Sequence, residues 1–95
     1  MTEVSDHSAS IRFANLGVPV LCQATGLRSL GGGQVDYCFI DKEKLFVIEA
    51  KMGNNVTRNQ VSRLKTSGRI LSDLLGASCA KVLLYSVKNG DVYGL

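Results

Sequence analysis

The stretch VDYCFIDKEKLFVIEAK, residues 35–51, sets the reading of the whole chain. Two apolar runs, residues 35–40 and 45–51, flank the polar tetrapeptide Asp41-Lys42-Glu43-Lys44, the pattern of a β-hairpin closed by a four-residue loop. Such a loop sets Ile40 against Leu45, and the register then carries back until Asp36 lies opposite Glu49. Directly opposed side chains have Cβ atoms about 4.5–5.5 Å apart, and like charges there repel. Period-two alternation adds Lys51 to the face that carries Glu49. Two carboxylates and an ammonium on an otherwise apolar hairpin form a site for a hard divalent cation, with the ammonium placed to hold or activate a water.

The plainer reading makes Asp36 the end of a loop and Glu49 a solvent-facing acid, with Lys51 paired to one of the two. Against it stands the apolar character of FVIEAK: an exposed face would show polar residues at Leu45 and Val47 too. Glu49 reads as a charge at the end of a buried strand.

Working outward, residues 2–16 predict a helix with a ragged apolar side, stopped at Gly17. Residues 19–24, PVLCQA, predict a strand entered at Pro19. Residues 25–34, TGLRSLGGGQ, predict irregular structure. They form either a plain connector or a substrate loop that carries Arg28 and leaves glycine amides open to a phosphate. The glycines lack the spacing and the Lys of a P-loop, which excludes nucleotide hydrolysis of that type.

Thr57 and Gln60 have capping-box spacing and start a helix. Val61, Leu64, Gly68, Leu71 and Leu75 recur at 3, 4, 3 and 4 and form its buried stripe, with Gly68 marking a close approach to the sheet. Gly76 ends it. The outer side carries Arg58, Arg63, Lys65 and Arg69 against Asp73. This is a solvated face or a track for a phosphate backbone. Residues 80–87 predict a buried strand, and Asn89-Gly90 a type I′ turn into a last strand over residues 91–95.

An Asp on one strand, followed by Glu-Ala-Lys closing the next, resembles the signature of the PD-(D/E)xK nuclease superfamily, with Val35 where the family's name has Pro. The order helix, strand, strand, strand, helix, strand is similar to that superfamily's αβββαβ core, with one strand added. The resemblance implies an α/β fold with a restriction-endonuclease-like core, a central mixed sheet flanked by helices. It implies Mg²⁺, with Mn²⁺ as a substitute, held by Asp36, Glu49 and the Ala50 carbonyl. Lys51 then positions the nucleophile, and Gln60 helps to order lysine and water, although as a cap it needs no further role. Asp6 stands near the position at which Holliday-junction resolvases of the superfamily add an acid from the first helix, with Glu3 one turn earlier.

The implied activity is a Mg²⁺-dependent endonuclease acting on structured or branched DNA, similar to junction resolvases, virus-type replication–repair nucleases or the nuclease domain of CRISPR-associated effectors. DNA is favoured over RNA, with Arg28, Arg58, Arg63, Lys65 and Arg69 as nucleic-acid contacts. The alternative is a catalytically inactive nucleic-acid-binding module of the same fold.

Composition bounds these expectations. Ninety-five residues suffice for one small domain, residues 1–95, with a single core. A 45% apolar and 20% charged chain belongs to the globular class, and a net charge of +3 permits a nucleic-acid partner without requiring one. So small a monomer offers little surface to a duplex, so a homodimer is expected. Cys22, Cys38 and Cys79 fit no zinc spacing and are expected to be buried thiols in a reducing compartment. No apolar run approaches membrane-span length and residues 1–10 are polar and acidic, which together predict a cytoplasmic location.

Overall fold

The sheet is organised by a tight turn in which Lys42 and Glu43 both have left-handed backbone, at φ 51° and 71°. Positive φ at both central residues is the type I′ pattern, whose twist matches that of the strands it joins. In the computed structural model, residues 12, 13, 15–20, 31–33, 35–53 and 55–95 are described. The elements are β1 (Val18–Pro19), β2 (Tyr37–Asp41), β3 (Lys44–Lys51), α1 (Arg58–Leu75), β4 (Cys79–Ser86) and β5 (Val92–Gly94). They form an α/β fold with a five-stranded mixed sheet in the order β1-β2-β3-β4-β5. Among the described residues only β3 and β4 pair in parallel, with α1 as the crossover between them; the other three pairings are antiparallel.

The hairpin register is the expected one, Ile40 facing Leu45, but Asp41 and Lys44 also pair, so the loop has two residues rather than four. The shorter loop leaves the register unchanged because it adds one pair at the closed end. The Glu43 carbonyl is held by the residue just before β4, accepting from the Ser78 backbone N–H at 2.8 Å and the Ser78 hydroxyl at 3.1 Å.

The second turn also differs from expectation. Asn89 does not take positive φ and Gly90 alone does, at 76°, so Asn89-Gly90 is not a type I′ turn. Val87 and Lys88 continue along the end of β3, donating to the carbonyls of Lys51 (2.7 Å) and Met52 (3.2 Å). The loop therefore spans residues 87–90, closed by Gly90 N–H to the Ser86 carbonyl at 2.7 Å.

Thr57 and Gln60 form the expected capping box. Gly76, at φ 69°, ends α1 and sends its N–H back to the Ser72 carbonyl, a left-handed cap that glycine adopts without a Cβ penalty. The helix lies on one sheet face, where Cys38, Leu45, Val47, Leu64, Leu71 and Val82 form one core cluster. A Cβ on Gly68 would stand 3.2 Å from that of Ala80 and 3.5 Å from Val47 Cγ2, which is the close approach that the sequence predicts.

Leu75, predicted on the buried stripe, is 45% exposed. Seven residues beyond Gly68, it has travelled about 10 Å along the axis and reaches the end of the sheet. Ser67 and Ser72 are buried on α1 instead.

The other face is aromatic. Phe13 packs there against Phe39 and Tyr85, at ring distances of 5.8 and 5.6 Å, and Phe39 stacks on its cross-strand partner Phe46 at 4.9 Å. Most of the helix predicted over residues 2–16 lies outside the described residues, although Arg12 and Phe13 are helical. Residues 21–24 of the predicted first strand and Cys22 lie outside them as well. Cys38 is buried, but Cys79 is exposed because it opens β4 at the uncovered end of the sheet. No helix among the described residues is long and apolar enough to cross a membrane.

Candidate active site

Strand alternation places Glu49 and Lys51 on the helix-side face, in series with the buried Leu45 and Val47. Glu49 is half-buried and lies in register with Leu84 of β4, itself 2% exposed. The acid therefore closes an apolar row, as FVIEAK predicts. Lys51 is half-buried beside the fully buried Ser86, its register partner.

Asp36 sits just before β2. The ladder pairs Tyr37 with Ile48, and one further step sets Asp36 opposite Glu49. Its side chain closes the ladder there, with Asp36 Oδ2 accepting from the Ala50 N–H at 2.9 Å. The two halves of the predicted motif are thus bonded to each other.

This bond also orients the Ala50 carbonyl. The N–H and C=O of one strand residue point to the same side, so the Ala50 carbonyl points toward β2 and Asp36. The Lys51 carbonyl points the other way and accepts from Val87. Asp36, Glu49 and the Ala50 carbonyl are all oxygen donors, the hard set that suits Mg²⁺, a cation that keeps several waters and needs few protein ligands. Among the described residues no three His, Cys, Asp or Glu side chains gather as a metal-binding group, so the candidate donors are these two carboxylates and the backbone.

Gln60 lies in the first turn of α1, where its Oε1 accepts from the Thr57 N–H at 2.9 Å. The structure gives this oxygen a capping role. Asp6, Glu3 and Arg28 lie outside the described residues.

The four helix cations are all exposed but do not form a single track. Arg58, Lys65 and Arg69 line a groove between α1 and the β4–β5 edge. Arg63, about 140° around the helix from Arg58 at 3.6 residues per turn, faces the glycine segment instead. Gly33 docks there, its N–H donating to Ser67 Oγ (2.9 Å) and the Arg63 carbonyl (3.2 Å), while the Ser67 hydroxyl donates to the Gly33 carbonyl (2.8 Å). The Gly33 amide is therefore engaged by the helix rather than open to a phosphate.

Ser67, Ser72 and Ser86 are the residues that pattern reading missed. Serine on a helix or strand carries no periodic signal, and only the partner elements reveal that these three are buried. A scan of protein-family models and searches of curated proteins and of solved structures return no match to this chain.

Proposed function

We propose that this protein is a Mg²⁺-dependent phosphodiesterase of the PD-(D/E)xK type, an endonuclease acting on structured or branched DNA with the restriction-endonuclease-like core as its scaffold. The observation that carries this reading is the hydrogen bond from Ala50 N–H to Asp36 Oδ2, which ties the first acid to the Glu49-Ala50-Lys51 strand end on one corner of the sheet. Magnesium at this corner would supply Lewis-acid stabilisation of charge on the phosphate and activation of water. Asp36 and Glu49 would hold the ion with the Ala50 carbonyl. Lys51 holds and orients the attacking water and offsets negative charge as it builds. The backbone bond from Val87 to Lys51 fixes the base of that side chain. Cations on α1 bring the phosphate backbone to this corner.

The test is hydrolysis of branched, single-stranded and plasmid DNA and of RNA, with and without Mg²⁺, against a Lys51→Ala control. Magnesium-dependent cutting that falls at least about 100-fold in the variant is expected, since a lost water-positioning or charge-stabilising group costs that much. Binding without cleavage by both proteins would leave the inactive nucleic-acid-binding module. Acting on a branched duplex, a chain this small works as a homodimer that presents two sites, and light scattering should give twice the 10.2 kDa chain mass.

A further inference from the structure

We infer that the groove between α1 and the β4–β5 edge holds single-stranded nucleic acid by its phosphates, with Arg58, Lys65, Arg69 and the Ser72 hydroxyl as its contacts. The groove has a volume of about 1150 Å³ and is open to solvent. Arg58, Lys65 and Arg69 stand on one stripe of α1, with about 10 Å and then about 6 Å of axial rise between them. Among the described residues Asp73 is the one acid beside them in the lining. Lys81 borders the groove, but alternation along β4 turns its side chain toward the aromatic face.

Ser72 adds a buried hydroxyl to this cationic stripe. It lines the groove, is 7% exposed, and its Oγ has no hydrogen-bond partner among the described residues. Buried hydroxyls are ordinarily paired, and this one sits three residues from Arg69. The hydroxyl is shut off from solvent where it stands, so it reaches a phosphate oxygen held by Arg69 by turning about its Cα–Cβ bond.

Two features choose the occupant. A duplex is about as thick as the molecule's own shortest dimension, 22 Å, and cannot enter a cleft between one helix and one strand edge. Among the described residues no aromatic side chain lines the groove, so binding comes from phosphates rather than base stacking, with little sequence preference. Because α1 starts where β3 ends, a strand in the groove leads past Arg58 toward the corner that holds Lys51. The inference rests on the nucleic-acid partner of the function proposed above, but not on its metal chemistry.

The test is fluorescence anisotropy of a labelled oligothymidylate about ten nucleotides long, more than enough to follow the roughly 16 Å from Arg58 to Arg69, titrated in EDTA to prevent hydrolysis. Three cations give a slope of log K against log salt of about −2.1, a loss of about 20-fold between roughly 50 and 200 mM salt. Arg69→Gln should reduce that slope by about 0.7, while Arg63→Gln, on the far side of the same helix, should leave it unchanged. Ser72→Ala should weaken binding about tenfold, as for a lost bond to a charged group, without lowering the unfolding midpoint. An equal slope change in Arg63→Gln would overturn the inference. So would binding of a duplex of the same length that Arg69→Gln weakens equally, or equal competition by a polyglutamate peptide. Absent oligonucleotide binding alongside Mg²⁺-dependent cleavage would remove the groove and leave the active site. The expected binding without cleavage would do the reverse.

Discussion

Asp36 performs two separable tasks, and replacing it with Ala or Asn distinguishes them. Its carboxylate accepts the Ala50 N–H at 2.9 Å, and a hydrogen bond to a charged group contributes about 1.5–3 kcal/mol. Its charge also stands opposite Glu49, a like-charge pairing that costs about 0.2–1 kcal/mol. In EDTA, Asp36→Ala loses the first and relieves the second, for a net destabilisation of about 1–2.5 kcal/mol. Asp36→Asn keeps an acceptor for Ala50 and removes the charge, so it should stay within about 0.5 kcal/mol of the parent. Magnesium then reverses the order. At about 10 mM ion and a Kd of about 1 mM, an occupied site adds about 1.4 kcal/mol, and both variants should lose most of that gain. Urea unfolding in EDTA and in magnesium reads all six values. An Asp36→Ala protein as stable as the parent in EDTA would refute the structural account of the bond. Equal stabilisation of all three proteins by magnesium would refute the metal site.

Two further changes probe the scaffold. Glu43→Gly should raise stability by about 0.5–1 kcal/mol in urea unfolding, because an L-residue at φ 71° carries a left-handed penalty that glycine avoids. Ser67→Ala should lower stability by about 1–3 kcal/mol, since the half-buried Gly33 carbonyl loses its donor. Hydrogen exchange at the Gly33 amide should accelerate in the same variant.

Local rules were enough for several parts of this molecule. The hairpin register followed from two apolar runs and the polar break between them, because a one-residue slip would turn Leu45 and Val47 out of the core. The helix bounds followed from Thr57, Gln60 and Gly76, whose capping chemistry is confined to a single turn. The close helix–sheet contact at Gly68 was legible as a missing side chain on a buried stripe. The turns were less so: Lys42-Glu43 carries no glycine or asparagine, yet it took the type I′ conformation because the pairing of Asp41 with Lys44 and the grip of Ser78 on Glu43 outweigh local preference.

The candidate site divides along the same line. The sequence by itself determined that an acid and a lysine close an apolar strand and that another acid precedes its partner, since alternation and register are one-dimensional properties. Only the tertiary structure decided that Asp36 bonds to Ala50, that Gly33 docks on Ser67, and that Arg63 parts from Arg58, Lys65 and Arg69. The first depends on the Asp36 side chain closing the β2–β3 ladder, and the other two on which flank of α1 faces β2 and which faces β5. That choice is made by packing a helix onto a sheet, and no local stretch of the chain encodes it.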